Sequence, residues 1–309
     1  MHSYFFSFVR GQFYDKMITH FLNYISFEKK YSKHTVTAYQ NDLKSFLEFS
    51  IKEYGNKKIE SASYGEIRAW IVALVSSGVS NRSVNRKVSS LNSFYKYLQR
   101  IEEVSVNPLA SHKALKTAKR VNVPFSENEI IEVIEMIDAT TFEAARDKLL
   151  VELLYSTGMR REELITLTED AVDLHSNTLK VLGKRNKERY IPLLSSVRKT
   201  MKNYLKLKEE QFGSTDHLLV SNKGNKLYGT LVYRIIKSYF SRVSTKVKQS
   251  PHVIRHSFAT HLLNEGADLN SVKELLGHSS LAATQVYTHT SLDHLKEVYN
   301  QAHPRSDKK

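Results

Sequence analysis

Apolar residues recur at three- and four-residue spacing from position 17 to about position 99, and this pattern limits how the first third of the chain can fold. The apolar positions fall into four segments, each of which predicts an amphipathic helix. Ser32, Ser63 and Ser80 stand at the expected N-caps, and Glu66 occupies the capping-box position behind Ser63. The sequence therefore predicts a compact bundle of four helices in a domain that covers residues 17–106, preceded by an N-terminal extension at 1–16.

A basic and weakly patterned stretch follows this bundle. Asn107-Pro108 disfavours helix, and no acidic residue occurs from Val104 to Ser126, so we expect a linker over residues 107–125. The capping box at Ser126 opens a second domain over residues 126–309. Its helices are predicted at about 127–138, 142–157, 160–167, 195–210, 228–244, 251–265, 269–276 and 280–288. Two predicted strands at 178–183 and 189–193 flank a polar turn and indicate a β-hairpin.

Positive charge dominates the chain, which has 46 Lys and Arg against 32 Asp and Glu, a net charge of +14 and a pI near 9.6. Two tracts contain no acidic residue: six basic residues lie between Ile67 and Ile101, and eight lie between His217 and Asn264. A surface that is only soluble mixes both signs, so the tracts predict two surfaces that bind one polyanion, most simply nucleic acid. A protein that is basic for solubility or for an acidic partner is the alternative.

Composition excludes several other classes of protein. The hydrophobic fraction of 41% is sufficient for real cores, which excludes a mainly disordered chain. The chain contains no cysteine, so disulfides, thiolate zinc sites and cysteine nucleophiles are excluded. No run approaches the roughly 18 apolar residues that a membrane span needs, and we expect a cytoplasmic protein without a membrane partner.

Two segments place basic residues at turns. An apolar helix ends at Gly158 and a new helix follows with Arg160, where an arginine beside free N–H groups can bind an anion. The alternative for Arg160 is an ordinary ion pair with Glu163, three residues further on. Lys184 stands in the hairpin turn, where it could enter a partner's groove, donate a proton or simply be solvated.

A third segment combines histidine with arginine. Ser250-Pro251 fixes a helix start, so His252 and Arg255 share one face of the first turn, an arrangement that suits a phosphate and its proton transfer. His252 and His256 also have the spacing of a helical zinc pair. No third ligand is nearby in the sequence and Arg255 would repel a cation, so no metal site is expected.

A fourth segment joins a histidine to a tyrosine. Gly277 ends a predicted helix and leaves His278 at the corner, and Tyr287 follows near the end of the next predicted helix. A tyrosine in such a place usually packs or donates a hydrogen bond. Its phenolate would be stabilised only beside cations such as two arginines and a lysine.

Together, the four segments resemble the catalytic signature of the tyrosine recombinase (phage integrase) family, and most closely the bacterial Xer recombinases. The shared order is Arg160, Lys184, His252 with Arg255, His278, and then Tyr287 nine residues after the last histidine. The resemblance covers nearly the whole chain from about position 17. It includes residues 85–91, which are similar to the family's DNA-contacting helix, and the His-Pro-Arg sequence at 303–305. Arg185 departs from the pattern, because Xer proteins commonly have glycine after the lysine.

The resemblance implies a mostly α fold, with an N-terminal four-helix SAM-like core-binding domain and a mainly helical catalytic domain that contains a small antiparallel β-sheet or hairpin. It also implies a covalent mechanism. Tyr287 would attack the scissile phosphate and form a 3′-phosphotyrosyl link on the way to a Holliday junction. Because that link conserves the bond energy and positive side chains stabilise the charge, no ATP, metal or other cofactor is expected.

The remaining roles are implied in the same way. Arg160 and Arg255 would hold the non-bridging phosphate oxygens, and Lys184 would protonate the leaving 5′-hydroxyl. His252 and His278 would hydrogen-bond the phosphate, with His252 assisting proton removal from the tyrosine, and Glu163 would support the site rather than react. The residues expected to contact DNA from the first domain and the linker are Arg82, Arg86, Lys87, Lys119 and Arg120.

The partners implied are duplex DNA with a specific core site and other recombinase subunits. Family members close a C-shaped clamp on DNA and act as tetramers, here with identical subunits or with a paralogous recombinase, and each C-terminal tail, here 292–309, docks on a neighbour. Chromosome dimer resolution, with a septal DNA translocase as a further partner, is the expected setting. The alternatives are a mobile-element integrase, a type IB topoisomerase-like enzyme and a non-catalytic DNA-binding relic.

Overall fold

A computed structural model of the chain describes residues 16–55, 58–118, 123–183, 188–277, 298–299 and 301–306. The chain divides into two compact units, residues 1–120 and 121–309, and each has its own hydrophobic core. Among the described residues, no helix is long and apolar enough to cross a membrane.

The first unit is the predicted helical bundle. Its helices are α1 (Lys16–Asn23), α2 (Lys33–Tyr54), α3 (Tyr64–Ser76) and α4 (Asn81–Arg100), and a short π-helical turn, Tyr24–Glu28, follows α1. Serine hydroxyls cap three of them as the sequence predicts: Ser32, Ser63 and Ser80 accept the backbone N–H three residues further on. The apolar faces meet in a core whose largest fully buried side chains are Phe21, Phe46, Trp70, Phe94 and Tyr95.

The first part of the expected linker packs against the first unit. Leu109 is buried in that unit's core, and the Asn107 side chain donates to the Asn92 side chain over 2.8 Å. The Asn85 amide both donates to and accepts from the backbone of Leu115, each over 2.9 Å. Asparagines on one face of α4 therefore hold the chain along that helix as far as Lys116, whose carbonyl accepts from the Asn81 amide over 2.8 Å.

The second unit combines helices with one small sheet. Its elements are α5 (Glu127–Met136), α6 (Phe142–Thr157), α7 (Arg161–Ile165), β1 (Val172–Asp173), β2 (Thr178–Leu182), β3 (Glu188–Pro192), α8 (Ser195–Phe212), α9 (Gly229–Val243), α10 (Pro251–Asn264) and α11 (Leu269–Leu276). The strands are antiparallel in the order β1-β2-β3, with Thr178 opposite Pro192 and Leu182 opposite Glu188. The mostly α fold with a small antiparallel hairpin is confirmed.

Helix α6 is buried on nearly every side and forms the centre of the second unit. The predicted helices of this unit appear with small shifts of their ends, and the one predicted at 160–167 is shorter, at Arg161–Ile165. The two-residue strand β1 was not predicted. The helix predicted at 280–288 lies outside the described residues.

The described part of the C-terminal tail packs within its own second unit. Tyr299 and Ala302 belong to the core of that unit, His303 is fully buried beside Tyr299, and the Tyr299 hydroxyl donates to the Ser156 carbonyl over 2.7 Å. Arg305 forms an ion pair with the buried Glu152 at 3.0 Å. These residues pack against α6 of the same chain, and docking of the tail on a neighbouring subunit stays a prediction.

Candidate active site

Gly158, at the end of α6, allows three helices to approach one another closely. Its φ is +57°, in the left-handed region that glycine adopts without steric cost. A Cβ at this position would lie 2.7 Å from Phe258 Cε1 on α10 and 2.8 Å from Leu276 Cδ2 on α11. The missing side chain therefore lets the end of α6 approach the middle of α10 and the end of α11 closely, immediately before Arg160.

Arg160 is fixed by Glu163 one turn further on. The Arg160 backbone N–H donates to Glu163 Oε2 over 2.8 Å, and its Nη1 donates to Glu163 Oε1 over 2.7 Å. Its Nη2 reaches the Gly277 carbonyl at 3.3 Å, on an element 117 residues away in sequence. The ion pair with Glu163 that was the alternative for this arginine thus exists, and it orients the guanidinium towards the end of α11.

Arg255 reaches the same place from α10. Its Nη1 donates to the Gly158 carbonyl, and its Nη2 donates to the Leu276 carbonyl over 2.8 Å. Burial, and then the positive charge of Arg160, lower the pKa of Arg255 to about 10, so this guanidinium is still protonated at neutral pH. Two cations that lie 95 positions apart in the sequence therefore meet at the adjacent carbonyls of Leu276 and Gly277.

A third arginine, Arg189 on β3, completes this arrangement and was not assigned a role from the sequence. Its Nε donates to the Leu275 carbonyl over 3.0 Å, and its Nη1 and Nη2 donate to the two Glu163 oxygens over 3.2 and 2.8 Å. Three arginines thus bind the three consecutive carbonyls that end α11, which helix geometry leaves without intrahelical partners. The sequence pattern that could have identified it is the alternation of β3: Arg189 stands two positions before the inward-facing Ile191 and so lies on the same buried face of the strand.

Glu163 is the acidic group at the centre of these contacts. Burial by itself would raise the pKa of Glu163, but hydrogen bonds from Arg189 and Arg160 hold that pKa below its ordinary value. The carboxylate is therefore ionised at neutral pH and accepts from both guanidinium groups. The supporting role of Glu163 stays a prediction, for which these contacts are the basis.

His252 is the exposed residue of the first turn of α10, whose other members Pro251, Val253 and Ile254 are buried. Partial burial, and then the charges of Arg161, Lys248, Arg255 and Arg160, lower the pKa of His252 below its ordinary value. The ring is therefore neutral at pH 7 and is able to accept a proton. No group of three His, Asp or Glu side chains in the described ranges is placed to hold a metal ion, so the His252–His256 pair has no third ligand there.

Several predicted site residues lie outside the described residues. These are Lys184, His278 and Tyr287 of the catalytic set, and Lys119 and Arg120 of the DNA-contacting set. The structure brings together Arg160, Arg255 and Glu163 and places His252 on the first turn of the helix that carries Arg255; the described range 188–277 ends directly before His278.

Two of the expected DNA-contacting residues converge on Asp42, a buried acid of the first unit that was not singled out from the sequence. Arg86 holds the Asp42 carboxylate with both terminal nitrogens, Lys87 Nζ lies 3.2 Å from Asp42 Oδ1, and Ser90 donates to Asp42 Oδ2 over 2.8 Å. Asp42 is only 1% exposed, whereas Arg82 is exposed at the start of α4. The signal was an acid between Tyr39 and Leu43 on the apolar face of α2.

Comparisons with known proteins identify the family of the chain. Residues 125–294 match the model of the phage integrase family, and residues 18–102 match the phage integrase N-terminal SAM-like domain. The chain is 39% identical over 292 residues to tyrosine recombinase XerC of Oceanobacillus iheyensis, covering 93% of this chain and 95% of that protein. It is 38% identical over 298 residues to XerC of Bacillus subtilis, covering 94% of this chain and 96% of that protein.

Solved structures show the same fold. The integrase of transposon Tn1549, in complex with circular intermediate DNA, has a TM-score of 0.68 at 19% identity and covers 90% of this chain and 98% of that one. The XerH site-specific recombinase, bound to a palindromic difH substrate, has a TM-score of 0.68 at 23% identity and covers 85% of this chain and 78% of that one. The chain belongs to the phage integrase family and is a tyrosine recombinase of Xer type, an enzyme that cuts and rejoins DNA.

Proposed function

We propose that the chain exchanges strands between two DNA duplexes at a specific core site, through a 3′-phosphotyrosyl intermediate on Tyr287 and a Holliday junction. The observation that carries the proposal is the convergence of Arg160 and Arg255 on the adjacent carbonyls of Leu276 and Gly277. Two guanidinium groups held side by side match the two non-bridging oxygens of a phosphodiester.

The arginine pair stabilises the charge that develops on the phosphate. Within the described residues, each guanidinium uses two of its five N–H groups on Glu163 or on backbone carbonyls, so further donors are free to bind phosphate oxygens. Their positions are set before DNA binds, so no reorganisation is required when the transition state forms. The positive groups take the part that a divalent metal takes in other phosphoryl-transfer enzymes.

The covalent step balances with the side chains proposed for it. The Tyr287 oxygen forms a bond to phosphorus as the bond to the 5′-oxygen breaks, and the 5′-hydroxyl takes its proton from Lys184. His252 accepts the phenolic proton, which its lowered pKa permits because the ring is neutral at pH 7. His278 donates to the phosphate. The reverse reaction with a strand of the second duplex completes exchange and requires no ATP.

Binding to DNA uses phosphate contacts from both units. Arg82, Arg86, Lys87, Lys119 and Arg120 are proposed to contact the backbone from the first unit and the following segment. With a net charge of +14, affinity should fall steeply as the salt concentration rises.

The cellular setting proposed is chromosome dimer resolution in the cytoplasm, since nearly the full length of two XerC relatives is matched. The active assembly would be a tetramer, either of this chain alone or with a paralogous recombinase. A septal DNA translocase would be a further partner.

A plasmid assay tests the proposal against its alternatives. Wild-type protein should resolve a supercoiled plasmid that carries two identical core sites into two circles, and Tyr287→Phe should not. Rapid relaxation of a single-site plasmid without exchange would instead identify a type IB topoisomerase. Exchange only between unlike sites would identify a mobile-element integrase, and DNA binding without any covalent capture would identify a non-catalytic relic.

A further inference from the structure

Arg189 lies beneath the candidate active site with only 4% of its surface exposed. A side chain so deeply buried cannot place its charge against a DNA strand in the way that the half-buried Arg160 and Arg255 can. Its contacts are all internal: both oxygens of Glu163 and the Leu275 carbonyl. Its role therefore depends on what those partners do.

The burial of Arg189 is costly and needs a reason. Removing a guanidinium from water is unfavourable unless an ion pair and further hydrogen bonds replace its hydration. The next inward-facing position on β3 is Ile191, which shows that this face of the strand accepts an apolar side chain. The presence of a charged residue at position 189 is therefore explained by the specific groups that Arg189 binds.

Those groups belong to two parts of the site. Glu163 holds the backbone N–H and the guanidinium of Arg160, so a partner that orients Glu163 also orients Arg160. Leu275 lies in the last turn of α11, and the next two carbonyls along the chain bind Arg255 and Arg160. Gly277, two residues beyond Leu275, lies close to the Arg189 side chain, because a Cβ at this position would lie 3.2 Å from Arg189 Nη1.

We propose that Arg189 is a positioning residue that joins strand β3 to Arg160 and to the C-terminal end of α11, and so sets the geometry in which the phosphate is cleaved. This inference rests on the proposed function. Strand β3 is also the strand that follows the turn containing Lys184 in the sequence, and α11 is followed directly by His278. A single planar side chain with several donors is suited to hold such elements in one register.

The test measures the single-turnover rate of covalent capture on a nicked suicide substrate, together with the Kd for the same DNA. Arg189→Met removes the charge and keeps much of the volume, and it should reduce the capture rate by about 100-fold, the loss expected from misplacing a catalytic group by about 1 Å. The Kd should change by less than about threefold, because Arg189 does not reach the DNA. Arg189→Lys keeps the charge but has a single donor group, so its capture rate should lie between those of wild type and Arg189→Met.

The matched control is Arg146→Met. Arg146 is also a buried arginine paired with an acid, Asp147, but it lies near the start of α6, about 18 Å along the helix axis from Gly158. This variant should lose a similar amount of thermal stability and keep its capture rate. Equal losses of rate in Arg146→Met and Arg189→Met, measured below both melting temperatures, would overturn the proposal.

Two further readouts separate positioning from a general structural role. Without Arg189 the pKa of the Glu163 carboxyl should rise, so an NMR titration of that carboxyl should move to higher pH in Arg189→Met; an unshifted titration contradicts the proposal. The NMR signals of the Arg160 guanidinium should also broaden or move in Arg189→Met and not in Arg146→Met. That measurement needs no cleavage, so it judges the role of Arg189 even where wild-type protein fails to capture DNA, a failure that would count against the proposed function alone.

Discussion

Replacing Gly158 with alanine should destabilise the second unit and disturb the arginine pair at the same time. The alanine would have to adopt a φ of +57°, which costs an L-residue roughly 1–2 kcal/mol. Its Cβ would also lie 2.7 Å from Phe258 Cε1, and overpacking of this kind costs about 1–3 kcal/mol. The sum, about 2–5 kcal/mol, corresponds to a loss on the order of 10 °C in Tm for a unit of this size.

A control glycine separates the two contributions. Gly266 has a φ of +90° in the same unit, but a Cβ there would meet nothing within 4 Å. Gly266→Ala should therefore cost only the backbone term of roughly 1–2 kcal/mol. The difference between the losses of unfolding free energy in the two variants measures the cost of placing a Cβ between α6, α10 and α11.

The assay follows thermal unfolding by far-UV circular dichroism and by tryptophan fluorescence. The sole tryptophan, Trp70, is buried in the first unit, so its signal reports on that unit. Gly158→Ala should lower the circular dichroism transition and leave the Trp70 transition in place. It should also reduce covalent capture of DNA below the new Tm, because the Gly158 carbonyl is a ligand of Arg255. Equal melting shifts in Gly158→Ala and Gly266→Ala, or unchanged capture in Gly158→Ala, would refute the reasoning.

Three other perturbations test separate parts of the structure. Because the pKa of His252 is lowered, the capture rate should stay constant as the pH falls past the ordinary histidine pKa of about 6.5, and it should decline only at lower pH. His252→Gln should remove this decline from the rate–pH profile. Asp42→Asn should release Arg86 and Lys87, so binding assays should show an unchanged or tighter Kd for random DNA but a smaller preference for the core site. The folded-state pKa of Glu129 is lowered to about 2, so its stabilisation is present above the unfolded pKa of about 4.3 and is lost as the pH falls towards 2. Melting curves of Glu129→Gln should therefore lie below wild type at pH 7 and converge with it near pH 2.

The elements that could be predicted are those with local signals. The caps at Ser32, Ser63 and Ser80 mark helix starts through contacts that span only three residues, so sequence spacing alone identifies them. Gly158 and Gly277 mark helix ends because each adopts the left-handed conformation that favours glycine. Strand β1 has two residues and no pattern of its own, and it exists only because β2 lies beside it.

The features that were missed depend on contacts between distant positions. Arg189 and Asp42 are charged, and charged residues are normally expected at the surface. Each is buried because partners from other elements satisfy it: Glu163 for Arg189, and Arg86 with Lys87 for Asp42. The sequence indicates that these two residues are buried only through the alternation along β3, for Arg189, and through the apolar face of α2, for Asp42.

The described part of the tail packs within its own unit. The sequence at 303–305 resembles a family motif and was expected to belong to a segment that docks on a neighbour. In this chain His303 is fully buried beside Tyr155, Phe258 and Tyr299. Docking of the tail on a neighbouring subunit stays a prediction.

The central claim is that the arginine pair and Tyr287 act on one phosphodiester. The most direct measurement captures DNA on a suicide substrate, digests the adduct with protease and nuclease, and locates the nucleotide by mass spectrometry. The account predicts a 3′-phosphonucleotide on the phenolic oxygen of Tyr287, and loss of that adduct in Arg160→Ala and Arg255→Ala. An adduct on any other residue, or one that forms at the wild-type rate without either arginine, would contradict it.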